Sequence, residues 1–152
     1  MKNEKTIDVL NTVIEINNDR IEGYETALKE TEEAEFKSLF AQFAYTSQKC
    51  NSQLIDEVQK LGGTPAEGTK VSGKFFRVWM DVKAALTGND REAILNSCEY
   101  GEEVAQETYE NALNEHSDHL TSEQKVLLRQ QLMWLKAEYD TVKSMIAMSE
   151  QD

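Results

Sequence analysis

Residues 62–89 read GGTPAEGTKVSGKFFRVWMDVKAALTGN, and the fold turns on what this stretch does. Its first part, 62–73, mixes glycine, threonine and serine with the chain's one proline, Pro65, and reads as a loop. The remainder places Phe75, Phe76, Trp79, Val82 and Leu86 on one side of a short amphipathic helix, with Gly88 to close it. A tight turn here would leave the flanking helices antiparallel. A loop plus about four helical turns is long enough to run back along a bundle and leave them parallel.

Upstream, Phe36, Phe40, Phe43, Ser47, Cys50, Leu54, Val58 and Leu61 draw one helical stripe, stopped by Gly62-Gly63 in a left-handed cap. Before it, Ile7, Leu10, Ile14, Asn17, Ile21, Tyr24 and Leu28 draw another. Neither Gly nor Pro separates these two stripes. A single helix through both would run ~85 Å at about 1.5 Å per residue, too long for a small domain. The reading therefore places a turn near 30–33, with Thr31 as N-cap and Glu32, Glu33 and Glu35 in the first turn, where the helix dipole favours carboxylates.

Downstream, Asn89 and Asp90 cap a third long helix, with Glu92 completing a capping-box-like pair; its stripe is Ile94, Cys98, Gly101, Ala105, Thr108 and Ala112. Residues 117–121 form a polar turn. Thr121 with Gln124 then caps a fourth helix, striped by Leu128, Leu132, Leu135, Tyr139, Val142 and Ile146. The predicted class is all-α: a ferritin-like four-helix bundle with a long crossover containing a short extra helix, one domain over 1–152. A five-helix up-down bundle is the alternative.

The formal charge is −12, from 16 Lys and Arg against 28 Asp and Glu. A phosphate backbone would be repelled and no basic stripe offsets the excess, so nucleic acid is not an expected partner. The longest apolar run, Met145 to Met148, is too short to span a membrane, and the first residues lack the apolar core of a secretion signal. Two cysteines make no disulfide framework. These features predict a soluble cytoplasmic protein.

Several stretches carry a resemblance: Gly23-Tyr24 after Asp19, Leu61-Gly62-Gly63-Thr64-Pro65, Arg77-Val78-Trp79 with Lys83, Cys98-Glu99-Tyr100-Gly101-Glu102-Glu103, Tyr109-Glu110-Asn111-Ala112-Leu113 and Gln131. Together they resemble an uncharacterised bacterial family of ferritin-like four-helix-bundle proteins, a domain of unknown function. The resemblance implies the ferritin-like fold and a soluble bacterial protein, and it implies no reaction. The chain departs from the family's pattern in the last helix, where Tyr139-Asp140 stands in place of a His-Asp pair.

A di-iron bundle needs a Glu on each of two helices and Glu-x-x-His on the other two, because positions i and i+3 share a face. No Glu stands three residues before His116 or His119. A carboxylate-only site is the remaining option, and its candidate ligands are Glu22, Glu99, Glu102 and Glu138, with Glu25 beside Glu22; Glu102 flanks the inward stripe. Asn17, Ser47 and Gln131 read as a small polar layer that fixes helix register, with the relic of a lost metal site as the alternative. His116 and His119 read as a surface pair, and Cys50 and Cys98 as small core fillers.

No catalytic residue and no cofactor is predicted. The leading expectation is a non-enzymatic bundle acting through self-association, as a homo-oligomer such as a dimer, or through a protein partner, in a stress setting. The alternative is a carboxylate-bridged protein that binds or oxidises iron or manganese.

Overall fold

The computed structural model describes residues 3–68 and 74–150, and the side chains of 74–78 fall outside that description. Among the described residues the chain is all-α, with five α-helices and one short 3-10 turn. They are α1 (Glu4–Glu30), α2 (Ala34–Lys60), α3 (Lys74–Thr87), α4 (Arg91–Glu115), the 3-10 turn Ser117–His119, and α5 (Ser122–Glu150). No described helix is long and apolar enough to cross a membrane.

The helix ends follow local chemistry. The first break falls at Thr31–Glu33, but Thr31 does not start α2. It closes α1, its amide donating to the Ala27 carbonyl, and its hydroxyl accepts from the Glu33 amide. Gly62, at φ +81°, ends α2 in a Schellman turn: its amide reaches the Gln59 carbonyl, and that of Gly63 reaches Val58. The same turn ends α3, where the left-handed residue is Asn89 (φ 53°) rather than Gly88. Asp90 then caps α4 by accepting from the Ala93 amide. Thr121 and Gln124 exchange hydrogen bonds at 3.1 and 2.9 Å, a capping box that starts α5.

Contacts between distant residues set the helix directions. At one level Arg20, Ser47, Glu102 and Glu138 meet; at the next Asn17, Gln53, Tyr109 and Gln131 meet. Between these levels the numbering falls along α1 and α5 and rises along α2 and α4. Thus α2 and α4 run the same way, and the described residues between them, 61–68 and 74–90, travel back up the bundle. They do so along α1: Gly63 lies on Ile7, Asn11 holds the Thr64 carbonyl and the Ala66 amide, and Asn18 holds the Gly68 carbonyl. Near the top of that path Arg91 pairs with Glu35 at 3.0 Å.

Two apolar clusters fill the interior. One gathers Leu10, Ile14, Leu54, Leu128 and Leu135, the other Phe36, Phe40, Phe43, Leu95 and Val142, and half-buried Trp79 of α3 touches both. Val82 buries the inner side of α3 as expected, Ala85 is buried beside it and the expected Leu86 is half-buried, while Phe75 and Phe76 lie outside the described side chains. The Trp79 indole packs against the bundle over Gly23, where a Cβ would come within 2.0 Å of the ring.

Candidate functional site

A polar centre lies where the two clusters meet. Arg20 is wholly buried at mid-length in α1, one residue before the expected stripe position Ile21, which is only half-buried. Three residues after Asn17 and four before Tyr24, it too keeps helical spacing. Its guanidinium donates from Nε to Glu102 Oε2 at 3.0 Å and from Nη2 to Glu102 Oε1 at 2.7 Å, a bidentate pair. Nη2 also reaches Glu138 Oε1 at 2.9 Å, and Nη1 donates to Ser47 Oγ. Tyr24 and Phe43 lie under the guanidinium at 5.4 and 5.7 Å from the ring centroids.

The carboxylates are held by a further ring of donors. Tyr24 Oη donates to Glu102 Oε2 at 2.7 Å, and Thr46 Oγ1 donates to Glu138 Oε2. Burial alone would lower the Arg20 pKa, but Glu102, Tyr24 and Glu138 together raise it, so the guanidinium stays charged. Burial raises the pKa of Glu138 above the usual carboxylate value despite the opposing pull of Arg20 and Thr46. Burial, reinforced by the Glu102 charge, raises that of Tyr24 well above the ordinary phenol.

One helical turn away lies a neutral layer. Asn17 Nδ2 donates to Tyr109 Oη at 2.8 Å, and Tyr109 donates to Gln131 Oε1 at 2.7 Å. Gln131 Nε2 closes the set on Gln53 Oε1 and the Cys50 carbonyl. Asn17, Ser47 and Gln131, read together as one layer, are therefore divided between two.

Of the four candidate ligands, Glu102 and Glu138 converge, and what they converge on is Arg20. Glu22 is exposed on α1 and Glu99 half-buried on α4. Tyr139, expected at the centre, is half-buried and donates to Glu103 at the surface, because Glu138 takes the inward position. His116 and His119 lie at the α4 end with rings 6.5 Å apart. Arg20, Thr46 and Gln53 are central polar groups that the sequence reading did not assign; Tyr24 stood on the expected stripe, and Tyr109 only in the stretches that carry the family resemblance.

A family model described as Domain of unknown function (DUF2383) matches residues 5–115. The chain belongs to that family. The DUF2383 match runs from α1 to the end of α4, so it takes in Arg20, Tyr24, Glu102 and Tyr109 and stops short of Gln131 and Glu138 on α5. Among curated proteins none matches the chain.

Proposed function

We propose that this DUF2383 chain is a ferritin-like four-helix bundle with a structural rather than catalytic centre, acting through self-association or a protein partner. The shared direction of α2 and α4, with α3 in the connection between them, supports the ferritin-like reading. We place it in a bacterial cytoplasm, on the strength of the family resemblance and the acidic composition.

The observation that carries the reading is Arg20 between Glu102 and Glu138. Iron or manganese bound at mid-height would need free carboxylate oxygens. Glu102 commits both of its own to Arg20 and Tyr24, and Glu138 commits both to Arg20 and Thr46. An incoming cation would meet a fixed positive charge where it has to bind, so these residues do not fit a metal pair. The test is elemental analysis of protein purified without a histidine tag, paired with thermal melts in added ferrous iron. We expect neither iron nor manganese, and a melting temperature that iron does not move. About two equivalents of either metal per chain, the loading of a di-metal bundle, would overturn the proposal, as would iron-induced stabilisation that Glu102→Ala abolishes.

A further inference from the structure

The two long sides of the bundle differ. Residues 62–68 and α3 lie along α1 and α4, and no described element lies over α2 and α5, which part to leave a groove of about 920 Å³. Leu39, Phe43, Trp134 and Met145 give it apolar walls, and the small side chains of Ala41 and Ala137 keep it open. Tyr45, 60% exposed, stands on the α2 rim. Large apolar side chains bordering an apolar groove mark a surface that something covers.

Charge selects the occupant. Helices α1 and α4 hold fourteen carboxylates against four Lys and Arg, whereas α2 and α5 hold seven of each. The acidic excess of the long helices thus sits on the pair that α3 flanks, and the α2–α5 pair is neutral. Two copies of so acidic a chain repel elsewhere and approach here without net repulsion. On α2, Glu35, Gln42 and Lys49 all line the groove at seven-residue spacing, which keeps them on one helix face. A two-fold axis near Gln42 would set the two α2 helices antiparallel and bring Lys49 against Glu35 of the partner subunit. The same contact then repeats in reverse, the self-complementary pattern an isologous interface requires. Helices of 27 and 29 residues side by side offer ~40 Å by ~20 Å, about the 800 Å² per copy that a stable interface buries.

We propose that the α2–α5 groove is the docking surface for a second copy of this chain, related by a two-fold axis near Gln42. The inference rests on the reading above, that the bundle works through its surface, and names the partner. Sedimentation equilibrium of the untagged full chain over roughly 1–100 μM should resolve a species of twice 17.3 kDa. Tyr45→Glu and Lys49→Glu should each raise the dimer Kd at least about tenfold, with helical circular dichroism unchanged because both side chains are exposed. Lys49→Glu combined with Glu35→Lys should restore the dimer, and Tyr100→Glu on α4 should leave it intact. A wild-type chain monomeric throughout would hand the groove to an unrelated partner and overturn the inference. A dimer indifferent to Tyr45→Glu and Lys49→Glu, or a double variant that fails to restore it, would overturn the face or the axis. None of these outcomes bears on the metal content of the centre, which elemental analysis reads separately.

Discussion

Arg20→Met leaves Glu102 and Glu138 buried with their shared cation gone. Removing one partner of a buried ion pair typically costs about 3–5 kcal/mol, because the remaining charge cannot return to water. Denaturant unfolding of Arg20→Met at neutral pH should show a loss of that size. Adding Glu102→Leu and Glu138→Leu should recover most of it, since an apolar replacement of the whole set has no stranded charge. A loss under about 1 kcal/mol, the worth of an exposed pair, would mean that water reaches the guanidinium. The sequence disclosed one side of this arrangement, Glu102 beside the inward stripe, and hid the other. From Asn17, steps of three and four both reach Tyr24, through Arg20 or through Ile21. Hydrophobicity favours Ile21; a carboxylate 82 residues away decides for Arg20. The same fork separates Thr108 from Tyr109 and Tyr139 from Glu138. At each, the polar or aromatic group that finds a buried partner takes the inward place, and periodicity does not record distant partners.

At the scale of elements, the crossover helix is fastened by a matched pair. Glycine inside a helix costs about 1 kcal/mol relative to alanine, yet Gly23 lies within α1, well before its end at Glu30, where the Trp79 ring leaves no room for a Cβ. Trp79 also meets Tyr24 edge-on, ring centroids 4.7 Å apart, and so links α3 to the Glu102 network. Gly23→Ala should therefore lower stability by about 1–3 kcal/mol, as overpacking does, despite the better helix former. Trp79→Ala should cost about 3–5 kcal/mol. In the double variant the alanine at 23 no longer meets a ring, so its penalty should vanish or change sign. Additive losses in that double-mutant cycle would show that the ring and the glycine are not in contact. The apolar spacing of Trp79, Val82 and Leu86 made α3 legible from sequence, as did the loop before it. The fit of Trp79 to Gly23 was not, because each lies in a separate motif and nothing in either motif names the other.

For the molecule as a whole, the buried acids that stay neutral govern the response to alkali. Burial pushes the Cys50 thiol from 9.0 up to about 11, and also raises Cys98, Tyr24 and Tyr109. Above pH 9 the unfolded chain releases protons that the folded chain retains, so stability falls as pH rises, by up to about 1.4 kcal/mol per unit for each group. Denaturant midpoints taken between pH 8 and 11 should therefore drop steeply from about pH 9, and Cys50→Ala should flatten the drop. A midpoint constant up to pH 11 would place these groups in contact with solvent. The long reach of the central ion pair has a consequence in time as well. During synthesis Arg20 leaves the ribosome 82 residues ahead of Glu102, the first of its carboxylates to appear, an interval on the order of ten seconds at about 5–20 residues per second. Through that interval the α1–α2 hairpin holds a guanidinium with no carboxylate to receive it, and closing around a bare charge is too costly. A nascent chain stalled before α4 therefore presents an open hairpin to chaperones and proteases, not a folded half.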